Sequence, residues 1–126
     1  MTRRAGDGGY VTAETAMVLP ALVLVLAAGL WAIAALIAQL ACVDAARAGA
    51  RAAARGEPLQ SVRMEVIQMA PPQADATVTR EKDLTRVVVS AVIRPAWGGL
   101  LPPVTVTATA SSATEPDLTP PSESPR

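Results

Sequence analysis

The chain has 126 residues, with 11 Lys+Arg against 11 Asp+Glu and so no formal net charge at neutral pH. That balance argues against a general phosphate or nucleic-acid binder, whose affinity rests on an excess of basic charge. There is no His, no Phe and a single Cys, at position 42. These absences exclude a Ser/His or Cys/His catalytic pair, an imidazole zinc site and an intramolecular disulfide; neither an enzyme nor a metal or other cofactor is expected.

Residues 1–9, MTRRAGDGG, are basic and Gly-rich without hydrophobic pattern, and read as a leader. From Tyr10 the chain carries one carboxylate, Glu14, and then no charge from Thr15 to Val43. Every one of the 23 residues from Ala16 to Ala38 is apolar, Gly or Pro. At about 1.5 Å per residue the run is roughly 34 Å long as a helix, against a hydrocarbon core of about 30 Å, so it predicts a membrane span. Pro20 removes one helical hydrogen bond and predicts a kink between Ala16 and Pro20. The Ala/Arg-rich stretch after Cys42 has no strong breaker before Gly56 and Pro58, so the helical section is expected over 10–56, with Gly49 tolerated. Arg47, Arg51 and Arg55 recur at every fourth position on one face. That face reads as solvated, with lipid phosphates or acidic groups of a neighbouring subunit as alternatives. No aromatic interleaves with the arginines to stack on bases, so nucleic acid is not an expected partner.

Residues 57–113 predict a small α+β domain. Pro58 opens a short amphipathic helix with Leu59, Val62, Val66 and Met69 on one side, ended by Pro71-Pro72. Three period-2 runs follow. Ala76 and Val78 share one side of the first; Val87, Val89, Ala91 and Ile93 share one side of the second; Val104, Val106, Ala108 and Ala110 do so in the third. A three-stranded antiparallel sheet fits these runs, with Glu81-Lys82-Asp83 as a polar hairpin turn and Arg94 to Pro103 as a longer, proline-bearing loop. A domain of this size holds a core only with support from elsewhere. Residues 114–126 carry four prolines and little apolar content, and predict a disordered tail.

The junction of head and apolar run is the informative motif: Gly8-Gly9, then Tyr10-Val11-Thr12-Ala13-Glu14. Cleavage after Gly9 would make Tyr10 the first residue and Glu14 the fifth. Glycine leaves an extended backbone open to a protease groove, and a lone carboxylate at the lip of a membrane helix is by default a functional residue. The arrangement resembles type IV prepilins, whose basic leader is removed after Gly by a membrane aspartyl prepilin peptidase on the cytoplasmic side. Thr12-Ala13-Glu14-Thr15-Ala16 followed by MVLPALVLVL is similar to the TadE-like family, minor pilins or pseudopilins of tight-adherence (Flp-type) pilus systems. CVDAARAGARAAARGEP and VTVTATASSATEP resemble its actinobacterial members. Tyr10 stands where major type IV pilins commonly have Phe. The resemblance implies processing at Gly9/Tyr10, an assembly role for Glu14, and a long pilin-like helix followed by a small globular part. As partners it implies the prepilin peptidase, other pilins, platform proteins and membrane lipid. It also implies a single-pass protein of the cytoplasmic membrane, leader inside and C-terminal domain outside, acting in assembly, initiation or capping of a pilus.

Rival readings are weaker. A signal-peptide core has about 7–15 apolar residues, shorter than this run. Leu40-Ala41-Cys42 only loosely matches a lipobox, because Gln39 occupies the hydrophobic position; Cys42 reads instead as a small buried or interfacial residue, with intermolecular disulfide pairing as a lesser option. A single-pass membrane scaffold of a secretion or signalling complex is the main alternative. Counting Lys and Arg beside the span would put the C-terminus inside, whereas the family resemblance puts it outside. Glu81 and Asp83, the nearest approach to a paired-carboxylate site, fall in a solvated turn beside Lys82.

Overall fold

In the computed structural model, which describes residues 7–99 and 101–113, the first element is one helix of 48 residues, α1 (Asp7–Ala54). It begins ahead of Tyr10, so Gly8 and Gly9 are helical and the junction read as the end of a leader lies inside the first turns. Once the chain from Tyr10 onward is helical, each added residue gains a backbone hydrogen bond, and that propagation overrides the poor propensity of the two glycines. Residues 1–6, the rest of the expected leader, and the expected disordered tail at 114–126 lie outside the described residues.

The helix runs without interruption through Pro20. Proline has no N–H, so the Ala16 carbonyl lacks its usual intrahelical donor. One turn earlier the Thr15 hydroxyl donates to the Val11 carbonyl at 2.8 Å, a back-bond of the kind that accompanies bent helices. At its other end α1 stops at a left-handed glycine: Gly56 has φ 82°, its N–H bonds the Ala53 carbonyl at 3.1 Å, and the Glu57 N–H bonds the Ala52 carbonyl at 3.4 Å.

The chain divides into two units, one ending at Ala34 and one starting at Ala35. In the first, nearly every side chain from Tyr10 to Leu30 is exposed, Ala27 being the exception. A helix apolar all round cannot hide its surface in water, and α1 is long and apolar enough to cross a membrane.

The second unit holds the rest of α1, then α2 (Leu59–Met69), β1 (Asp75–Glu81), β2 (Leu84–Ile93) and β3 (Val104–Ala113). The strands form an antiparallel sheet in the order β1-β2-β3, the meander expected from the alternating runs. Glu81 pairs with Leu84, leaving Lys82-Asp83 as a two-residue turn, and Ile93 pairs with Val104 across the mouth of the long loop. Val89 lies opposite both Ala76 and Ala108, so the buried positions of all three strands share one face, while Val88 and Val92 of β2 fall on the other. Thr77, Thr79, Thr105, Thr107 and Thr109 are exposed on the other.

That apolar face packs against the helices. α1 contributes Ala38, Cys42, Ala45, Ala46, Ala50, Ala52 and Ala53 to the core, and α2 contributes Val62 and Val66. The support a small sheet needs therefore comes from the continuation of α1 past the apolar run. On α2, Val62 and Val66 are buried and Leu59 half-buried as the expected stripe requires, but Met69 is 48% exposed because the helix ends there. Pro71-Pro72-Gln73-Ala74 then reverses the chain: the Ala74 N–H bonds the Pro71 carbonyl at 3.1 Å, and Gln73 takes the left-handed φ of 64° that this turn demands.

Candidate functional site

Gly9, Tyr10 and Glu14 all lie in the first turns of α1. Tyr10 and Glu14 are one turn apart and so share a face, where with Ala13, Met17 and Val18 they line one shallow depression. Tyr10 is 80% exposed, and Glu14 is exposed without an ion-pair partner among the described residues. A carboxylate set at the start of an apolar run, with Met17 and Val18 beside it, is costly in a membrane unless a cation reaches it. Gly9 has no packing reason of its own. A Cβ built there meets nothing within 4 Å, so packing among the described residues does not require glycine at this position.

The arginine row is exposed at Arg47, Arg51 and Arg55, on the side of α1 away from the sheet. Arg55 turns to Glu57, with guanidinium contacts of 2.6 and 3.1 Å. A surface pair of this kind contributes about 0–1 kcal/mol. A second contact was not legible in the sequence: Arg63 on α2 donates to the Ala76 carbonyl at 2.8 Å and lies 3.4 Å from Asp75, tying α2 to the start of β1. Glu81, the last residue of β1, and Lys82-Asp83 of the turn are all exposed around one open depression, with no walls to withdraw water from either carboxylate; the expected three-residue turn is thus one residue shorter, because Glu81 pairs with Leu84. Among the described residues no group of three or more His, Cys, Asp or Glu is placed to hold a metal ion.

Cys42 is fully buried in the core of the second unit, so its thiol is out of reach of another chain while that unit is folded. Seven residues further along the same helix, Gly49 marks a close approach that propensity alone does not foresee. A Cβ there would overlap the Val66 side chain and come within 3.3 Å of Val87 and 3.5 Å of Val62. The α1, α2 and β2 surfaces converge on this backbone.

Residues 9–51 match the TadE-like protein family. No curated protein and no solved structure matches the chain.

Proposed function

We propose that the chain is a membrane-anchored minor pilin or pseudopilin of a tight-adherence (Flp-type) pilus system, a reading supported by the match of residues 9–51 to the TadE-like protein family and by a helix long and apolar enough to cross a membrane. In this reading it is cut after Gly9 by a prepilin peptidase and takes part in assembly, initiation or capping of the pilus. The observation that carries the reading is the conjunction in α1: an unpacked Gly9, an exposed Tyr10, an unpartnered Glu14 and an apolar run open on every side. A globular unit after the helix favours a minor role over that of a bulk subunit, which by family resemblance would be shorter and almost wholly helical.

Cutting requires an extended chain at a place where α1 is helical. Two adjacent glycines make that opening inexpensive, since each weakens a helix by about 1 kcal/mol relative to alanine. Pro20, which removes one backbone hydrogen bond, lies in the same half of the helix. Platform proteins and other pilins are the partners this role calls for.

The mature N-terminus is expected to read Tyr-Val-Thr-Ala-Glu by mass spectrometry of protein from cells holding an active prepilin peptidase. Gly9→Val should leave a species heavier by the leader. Because a side chain at Gly9 meets nothing, failure to cut that variant cannot be blamed on misfolding. An intact N-terminus on the native chain in such cells would favour the unprocessed membrane scaffold instead. Topology is checked separately: a reporter active only after export, fused at Thr114, should be active, whereas activity of a cytoplasm-only reporter there would show that the arginines hold the C-terminus inside.

A further inference from the structure

The two edges of the sheet are finished differently. β1 is short and charged, with Asp75, Arg80 and Glu81 among its seven residues. Its first outward-facing backbone groups are also taken: the Ala76 carbonyl accepts from Arg63 Nε at 2.8 Å, and the Ala76 N–H donates to the Asp75 carboxylate at 2.9 Å. Short length, charge and side-chain cover are the usual means of keeping a strand edge from pairing with another chain. β3 has neither of the first two. Its ten residues, VTVTATASSA, hold no charge and no proline, and its register with β2 runs from Leu84 opposite Ala113 to Ile93 opposite Val104 without a bulge. One side chain reaches its edge, the Gln39 amide donating to the Thr107 carbonyl at 3.2 Å, which shows that the Thr107 backbone points away from β2. By the alternation of a strand, Thr105, Thr109 and Ser111 turn their N–H and C=O the same way. Among the described residues none of these three has a hydrogen-bond partner on that side. Their side chains are exposed on the outer face, and the Thr107 carbonyl keeps a second lone pair.

We infer that β3 is an edge for strand addition and that its occupant is β3 of a second copy of this chain, running antiparallel across a two-fold axis at Ala108. β1 and β2 carry charges that would stand opposite uncharged hydroxyls; of the three strands β3 alone has none. In this register Thr107 lies opposite Thr109 of the second copy and Thr105 opposite its Ser111, so hydroxyl meets hydroxyl on the outer face. Cross-strand pairs of this kind are favourable, and no like charges face each other. On the inner face Val106 lies opposite Ala110 and Ala108 opposite itself, so the apolar side continues across the seam. Thr105, Thr107, Thr109 and Ser111 of each copy then all find backbone partners. Two three-stranded sheets become one of six strands, and growth stops there because the charged, capped β1 forms both outer edges. The inference rests on the second unit alone and holds whether or not the chain is processed as a pilin.

The test is sedimentation of the full chain in detergent, joined to amide hydrogen exchange along β3. The wild type should pass from monomer to dimer as concentration rises, with exchange at Thr105, Thr109 and Ser111 slowing in step. Thr109→Pro removes an outward N–H without touching the ladder to β2, and should weaken the dimer by about tenfold or more. Thr107→Lys/Thr109→Lys sets like charges opposite each other across the seam and should do the same. Thr107→Lys/Thr109→Glu sets opposite charges there and should recover the dimer. Thr77→Lys, the same kind of change on the outer face of β1, should leave the dimer as it is. Circular dichroism checks that each variant keeps its sheet. A wild type that stays monomeric at every concentration overturns the inference. So does a dimer that survives both Thr109→Pro and Thr107→Lys/Thr109→Lys with fast-exchanging β3 amides, which would place the association on another surface. Failure of Thr107→Lys/Thr109→Glu to recover the dimer overturns the pairing about Ala108.

Discussion

Gly49→Leu is expected to abolish the fold of the second unit while leaving the apolar part of α1 helical. Even the single methyl of Gly49→Ala would overlap Val66, and Val62, Val66 and Val87 are each fully buried, so none can swing into solvent. Valine is also stiff about χ1, which leaves backbone movement as the main relief. Overpacking costs about 1–3 kcal/mol for small insertions, partly offset by the roughly 1 kcal/mol that alanine gains over glycine in a helix. Gly49→Ala should therefore lower the melting temperature by about 5 °C, and the four-carbon side chain of leucine should exceed the few kcal/mol that hold so small a unit. Thermal unfolding followed by circular dichroism on the full chain in detergent, with limited proteolysis of the sheet, reads both effects. Val66→Ala opens the space that the added methyl would need, so the Gly49→Ala/Val66→Ala pair should be more stable than the sum of the single changes by about 1 kcal/mol or more. A rise in melting temperature for Gly49→Ala alone would mean that helix propensity is all that glycine affects there.

Glu14→Ala is expected to be cut normally after Gly9, to stay in the membrane, and to fail to co-purify with other pilins or to support piliation. Processing frees an amine on Tyr10, and in a bundle of packed helices that charge and the Glu14 carboxylate would both lose water, at several kcal/mol for each if left unpaired. Joining the amine of one subunit to Glu14 of its neighbour offsets this cost and sets the axial offset between the two helices. Tyr10 and Glu14 of one chain also share a helix face, so the amine has a route to its own carboxylate. Self-pairing would fix no offset between subunits, which is why co-purification and piliation are the readouts rather than membrane retention. Glu14→Gln keeps nearly the same volume and hydrogen-bonding reach but removes the charge, and it should fail in the same way. Wild-type assembly by both variants would reduce Glu14 to an interfacial residue.

The sheet was legible because β1 and β3 alternate and β2 keeps a period-2 apolar side despite Val88 and Val92 on its other face. Val87, Val89 and Ala91 on one side of β2, with Thr flanking the apolar positions of β1 and β3, announce three half-buried strands, and two polar residues at Lys82-Asp83 suffice to turn between the first pair. The apolar run declared a membrane-length helix for an equally simple reason: no charge interrupts it. What stayed hidden lies in the Ala-rich half of α1. Where nearly every residue is Ala, Gly or Arg, periodicity identifies the arginine side but cannot say which element covers the other, and Gly49 looks like a tolerated imperfection. Its meaning depends on Val66 and Val87, which are distant in sequence. The start of α1 was hidden in the same way, because local propensity at Gly8-Gly9 gives no sign that helix propagates back through them from Tyr10. In the candidate site, Gly9, Tyr10 and Glu14 could be picked out by spacing, while the absence of any packing demand on Gly9 is visible only in the folded chain.

The alanine face of α1 carries little positional information. A slide of α1 by one turn, about 5.4 Å, would bring Ala46 to the place of Ala50, Cys42 to that of Ala46 and Ala38 to that of Cys42, exchanging small side chains for small side chains at nearly constant contact area. The same slide would put Ala45 where Gly49 now receives Val66, and it would carry Gln39 away from the Thr107 carbonyl. One notch and one hydrogen bond thus act as the index marks on an otherwise ungraduated scale, and they set the register of the sheet along the Ala-rich part of α1 within the second unit.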